Sequence, residues 1–139
     1  MIEYRRDAEL TLEKFIHIYQ SSTLGERRPT GDRDVMRQMM ENADLTVTAW
    51  DGDQLVGISR TLTDFGYVAY LSDLAVAQSH QRLGIGKHLI EQTRAALGEK
   101  CMLVLLAAPA ASEYYPHIGF THHPRAWILE ADQPLGTAS

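Results

Sequence analysis

Apolar residues recur along this chain first at helical and then at strand spacing. Leu12, Phe15, Ile16 and Tyr19 follow the spacing of one helix face, with Asp7 or Thr11 as candidate caps. A polar stretch rich in glycine, with one proline, spans residues 21–32 and reads as a loop. Val35, Met36, Met39 and Met40 then mark one face of a second helix and read as core. Residues 45–50 alternate as a strand, and Asp51-Gly52-Asp53 is a hairpin turn signal. The return strand covers residues 54–61, with Val56 and Ile58 on one face, and residues 67–76 form the next strand. Leu89, Ile90, Thr93 and Leu97 predict an amphipathic helix with Gly98 as its C-cap. Residues 102–107 are continuously apolar, as in a strand covered on both faces. A short helix over residues 110–117 and a last strand over residues 127–130 complete the pattern.

The order is α-α-β-β-β-α-β-α-β, and residues 2–5 are a candidate extra strand at the start. This predicts an α/β single domain with a central mixed sheet, early hairpins, late crossover units and flanking helices. Residues 1–131 are expected to form the domain and residues 132–139 a polar tail.

Composition narrows the function. The chain has 139 residues, enough for one domain with a substantial core. A formal net charge of −5 argues against a nucleic-acid partner. No apolar run approaches the ~20 residues that span a membrane, and the first residues lack the apolar core of a signal peptide. Cys101 is the sole cysteine and opens an apolar run, so it reads as a buried thiol in a reducing, cytoplasmic setting. His122 and His123 stand in tandem with no third ligand evident, so no metal site is expected.

The densest chemical signal is Gln81-Arg82-Leu83-Gly84-Ile85-Gly86-Lys87, between an apolar strand and a helix. The first N–H groups of a helix have no partner inside it, and the helix dipole adds positive charge there. Such a loop suits a pyrophosphate, and Gly84 and Gly86 admit a close approach. The third glycine of a dinucleotide fingerprint is missing, and His88 replaces the hydroxyl of a Walker loop.

Gln-x-x-Gly-x-Gly after a strand ending Leu-Ala-Val resembles the acetyl-CoA loop of the GCN5-related N-acetyltransferase (GNAT) superfamily. Tyr114-Tyr115-Pro116-His117-Ile118-Gly119-Phe120 resembles that superfamily's aromatic-Tyr-x-x-x-Gly-Phe segment. The resemblance spans about residues 10–129 and is specific between residues 71 and 120. It implies a GNAT-like acyl-CoA N-acyltransferase fold. It also implies acetyl transfer from acetyl-CoA to a primary amine of a small molecule or peptide, by direct attack in a ternary complex.

Carried onto this sequence, the resemblance makes Leu74, Ala75 and Val76 the strand that meets the pantetheine arm. Leu74 N–H would polarise the acetyl carbonyl. The N–H groups of Arg82, Leu83, Gly84, Ile85, Gly86 and Lys87 would hold the pyrophosphate. Tyr115 would protonate the leaving thiolate. Asp73, the sole acidic residue of its strand, is the candidate base or substrate ligand, with His80 and His117 as alternatives. Ala108 departs from the family's usual asparagine at that position and removes one coenzyme contact.

The loop before the second helix is the implied acceptor side, and Arg28 is a candidate ligand for a carboxylate there. A homodimer is implied by family habit, with Trp127 and Ile128 near the pairing strand. Two rival functions share the loop. A catalytically idle acetyl-CoA sensor would not need Tyr115 or Asp73. A toxin-like acetyltransferase acting on aminoacyl-tRNA would favour a basic face, which this acidic chain lacks.

Overall fold

A computed structural model describes residues 1–137. It comprises two units, Met1–Leu106 and Ala107–Ser139. The first holds β1 (Ile2–Arg6), α1 (Leu12–Gln20), α2 (Arg33–Glu41), β2 (Leu45–Asp51), β3 (Gln54–Thr63), β4 (Val68–Val76), α3 (Ile85–Ala95) and β5 (Met102–Val104). Its sheet runs in the order β1-β2-β3-β4-β5, antiparallel throughout except for the parallel β4–β5 pair. This is the expected mixed sheet with flanking helices, and residues 2–6 do form the extra first strand.

Two layers of apolar side chains bury the sheet. On one face, Phe15, Ile18 and Tyr19 of α1 and Met36 of α2 are fully buried with Ile58 of β3. On the other, Ile85 and Leu89 of α3 lie over Gly57 of β3, and Thr93 bonds Ser59 through their hydroxyls at 2.5 Å. Gly57 is glycine because of this approach: a Cβ there would meet Leu89 Cδ1 at 3.0 Å and Ile85 Cγ2 at 3.2 Å.

Local signals set several boundaries. Of the two candidate caps, Thr11 starts α1 by accepting the Lys14 N–H at 3.1 Å, a bond worth about 1 kcal/mol. Asp7 instead joins β1 to β2, its carboxylate accepting the Thr46 N–H at 3.0 Å. Asp32 caps α2, and Gly52, at φ +60°, makes the β2–β3 turn.

Four expectations need correction. Of the four residues on the α2 face, Met36 is fully buried and Met39 and Met40 pack against the core, but Val35 is exposed. The α3 helix ends at Ala95, so Gly98 is not its cap. Gly98 is instead a close-approach glycine whose N–H donates to the Phe65 carbonyl at 2.9 Å. β5 is only three residues long, and Met102 and Val104 are exposed rather than covered on both faces, because β5 pairs only with the first three residues of β4. Cys101 is half-buried.

The second unit contains a 3-10 turn (Pro109–Ala111) and the short helix α4 (Tyr114–His117). The predicted strand over residues 127–130 is irregular, with Trp127, Ile128 and Leu129 exposed. An extended segment becomes a strand only when a neighbour takes its backbone groups, which side-chain pattern alone does not supply. Residues 132–137 are irregular or turn, and Ala138 and Ser139 of the predicted tail lie outside the described residues.

Candidate active site

β4 has one extended neighbour and one partial one. It pairs with β3 from Ala69 to Val76 with one interruption, but with β5 only at Val68, Ala69 and Tyr70. Among the described residues, the edge from Leu71 to Val76 therefore has no strand partner on the β5 side and is open there. A register shift at Arg60/Thr61 sets two β4 residues, Ser72 and Asp73, in the space of one and reverses which backbone groups face outward. After it, the Ala77 N–H donates to Val56 of β3, while the Val76 carbonyl accepts Gln81 Nε2 at 3.1 Å. Alternation then aims the N–H groups of Leu74 and Val76 out of the open edge.

The loop after β4 has unusual backbone. Arg82 adopts φ +67° and Gly84 φ +82°. For arginine this left-handed conformation costs about 1–2 kcal/mol, a strain of the kind that collects at functional sites. A Cβ on Gly84 would meet nothing within 4 Å, so the loop borders open space. The first backbone bond of α3 runs from His88 N–H to the Gly84 carbonyl. Among the described residues, the N–H groups from Arg82 to Lys87 have no acceptor. Glycine at the N-cap leaves the helix start uncapped by any side chain. The donors and the dipole are thus available to an anion. A phosphate-bearing coenzyme fits this arrangement.

Beside the open edge lies a buried charge cluster. Asp73 is fully buried, and its Oδ1 accepts Arg28 Nε at 2.6 Å. Its Oδ2 accepts Arg60 Nε at 2.5 Å and the Tyr19 hydroxyl at 2.6 Å. Arg60 Nη2 donates to Ser72 Oγ at 2.9 Å, and Arg28 Nη2 donates to the Ser72 carbonyl at 2.9 Å. Burial alone would raise the Asp73 pKa. The Arg60 guanidinium, the Tyr19 hydrogen bond and the Arg28 charge outweigh burial and hold it below the usual value. Burial and the Asp73 charge push the Tyr19 phenol well up, so it stays neutral.

Asp73 is a candidate base or substrate ligand, and this cluster favours a positioning role over proton acceptance. A carboxylate with a lowered pKa and donors already on both oxygens is a poor base at neutral pH. Sequence reasoning found Asp73 and Arg28 but missed Arg60 and Tyr19. Arg60 sits on an apolar strand face where an arginine needs a buried anion, and that was the available signal. Nothing in the spacing of Tyr19 separates it from an ordinary core aromatic.

The remaining candidates are placed as follows. His80 Nδ1 meets Ser79 Oγ at 2.7 Å and its Nε2 meets Asp51 Oδ2 at 2.8 Å, so it pins the turn after β4 to the end of β2. Tyr115 belongs to the second unit, in α4. Its ring packs edge-on against Phe120 at 5.4 Å, and partial burial, then Tyr114, raises its pKa. His117 is exposed in the same helix. Among the described residues, no group of three or more His, Cys, Asp or Glu side chains stands close enough to hold a metal, and no helix is long and apolar enough to cross a membrane.

Comparison with known proteins gives a consistent result. The family model described as an acetyltransferase (GNAT) domain matches residues 19–127. An uncharacterized N-acetyltransferase, ycf52-like, from Prochlorococcus marinus is 28% identical over 96 residues, covering 65% of this chain and 53% of that protein. The chain spans about half the length of the curated relatives it matches. A GNAT-family acetyltransferase structure from Streptococcus pneumoniae has a TM-score of 0.71 at 24% identity, over 93% of this chain and 98% of that one. An aminoglycoside N-acetyltransferase solved with CoA has a TM-score of 0.72 at 15% identity, over 95% of both chains. At these identities the two structures speak for the fold.

Proposed function

This chain belongs to the GNAT acetyltransferase family, and we propose that it transfers an acetyl group from acetyl-CoA to a primary amine of a small molecule or peptide. The observation that carries this reading is the open β4 edge running into a loop of unpaired N–H groups. Bound there, acetyl-CoA supplies a thioester acyl group for direct attack by the amine.

The chain's own residues have five tasks in this reading. Arg82, Leu83, Gly84, Ile85, Gly86 and Lys87 hold the pyrophosphate through their N–H groups, and the Arg82 and Lys87 side chains add positive charge. Leu74, Ala75 and Val76 supply the strand along which the pantetheine arm lies, with Gln81 beside it at the Val76 carbonyl. The Leu74 N–H stabilises charge building on the acyl oxygen. Tyr115, a neutral phenol at physiological pH, gives its proton to the departing sulfur. The Asp73–Arg28–Arg60 cluster orders the acceptor side, and the amine arrives neutral or loses its proton to water.

Acetyl-CoA should bind near one equivalent per chain by titration calorimetry and raise the melting temperature. Gly84→Glu places an anion and a strained side chain in the loop and should abolish both effects while the fold survives. An undiminished response in that variant would move the coenzyme site elsewhere. Coenzyme binding without thiol release from any amine in a broad panel would replace the enzyme by a sensor.

A further inference from the structure

We propose that the amine acceptor carries a carboxylate, held by Arg28 beside the open edge of β4. The inference rests on the acetyltransferase reading and names the acceptor class for that site.

The cluster is unbalanced. Two guanidiniums, Arg28 and Arg60, share the single carboxylate of Asp73, and no other carboxylate lies within ion-pair distance of either among the described residues. The Tyr19 phenol is neutral and adds no negative charge. One net positive charge is therefore held at this place in a chain whose overall charge is −5. A cation drawn out of water without a partner is costly, so the site favours an anion over a second cation.

The two arginines are not equivalent. The Arg60 side chain is 9% exposed, whereas that of Arg28 is 24% exposed and keeps some contact with solvent. A guanidinium has five N–H donors. Arg28 uses Nε on Asp73, one hydrogen of Nη1 on the Arg27 carbonyl and one of Nη2 on the Ser72 carbonyl. One N–H bond remains on each of Nη1 and Nη2 of the planar guanidinium, a fork-shaped group that suits a carboxylate. Asp73, Ser72 and the Arg27 carbonyl fix that fork in place, so little ordering entropy is lost on binding.

Its position matches the chemistry. Arg28 is anchored on the Ser72 carbonyl, two residues before Leu74 on the same strand. At about 3.3 Å of rise per residue, the fork lies within about 10 Å of the Leu74 N–H. An amine with a carboxylate a few bonds away can reach both. Amino acids and short peptides have that form. A polycationic amine meets like charge instead.

The test pairs α-, β- and γ-amino acids with their own amides, plus spermidine, with acetyl-CoA saturating. Rates are corrected for the neutral fraction of each amine, because an amide lowers the pKa of a nearby amine. At least one acid should exceed its amide by ten-fold or more in kcat/KM. Arg28→Gln should remove that preference mainly through KM, while Arg28→Lys should keep part of it. Equal rates for every acid and amide, preference for spermidine, or an Arg28→Gln variant that slows acid and amide alike would overturn the proposal. Where no amine turns over, calorimetry of acids and amides against the CoA-loaded protein decides. Heat from an acid and not its amide supports the proposal, and equal or absent binding overturns it. Failure of the wild-type chain to bind acetyl-CoA would sink the transferase reading and this proposal with it.

Discussion

Replacing Asp73 by asparagine should unfold this protein more readily than almost any other isosteric change. The wild-type carboxylate accepts from Arg28 on one oxygen and from Arg60 and Tyr19 on the other. Asparagine turns one oxygen into an NH2 group, so in either orientation a donor faces a donor. The larger loss is charge, because the Arg60 side chain is only 9% exposed and would keep its charge with no anion beside it. Removing one partner of a buried pair costs about 3–5 kcal/mol. That is a large part of a total stability of roughly 5–15 kcal/mol. At this chain length each kcal/mol moves the melting temperature by roughly 3–5 °C, so a fall of roughly 10–20 °C is expected.

The pH dependence has a definite sign. The folded Asp73 pKa lies below its unfolded value of about 3.9. Its stabilisation is therefore complete above the unfolded pKa and fades as pH falls through the folded one. Urea unfolding of both proteins should show the full gap at pH 5–7 and a narrowing gap below about pH 4. The double variant Asp73→Leu/Arg60→Met should recover much of the loss, since it removes both the buried cation and its partner. A gap under about 1 kcal/mol at pH 7, or one that persists unchanged in acid, would refute the reasoning. Activity offers a second readout. If Asp73 only positions arginines, the acidic limb of kcat/KM should move with the pKa of the acceptor amine.

Two further outcomes follow from particular contacts. Gly57→Ala should cost about 1–3 kcal/mol in urea unfolding, because the new Cβ presses on Ile85 and Leu89. Since Ile85 opens α3 at the coenzyme loop, acetyl-CoA affinity should fall with it, and unchanged affinity would separate the loop from the sheet contact. Tyr115→Phe should lower kcat by roughly ten- to a thousand-fold with coenzyme affinity nearly unchanged, as expected of a lost acid. Normal turnover in a folded Tyr115→Phe protein would leave the thiolate to be protonated by water.

By itself the sequence determined whatever depends on neighbours in the chain. Helical spacing located α1, α2 and α3, and Asp51-Gly52-Asp53 located the β2–β3 hairpin, because these form from local periodicity and turn chemistry. The glycine loop proposed to hold the coenzyme is local in the same way, since its free donors are the backbone N–H groups of six consecutive residues, Arg82 to Lys87. What tertiary structure decided depends on partners far along the chain. Among the described residues, 127–130 carry a strand's side-chain pattern but pair with no neighbour, and residues 102–107 yield only three paired residues. Gly98 reads as a cap, yet it is set by the Phe65 carbonyl. Asp73 reads as a base or a substrate ligand, and the fold brings Tyr19, Arg28 and Arg60 to it from 54, 45 and 13 positions away. Only the fold brings two cations onto one carboxylate. The resulting lowered pKa and unbalanced positive charge are properties of that assembly, because electrostatic energy depends on distance in space and on burial, neither of which is written along the chain.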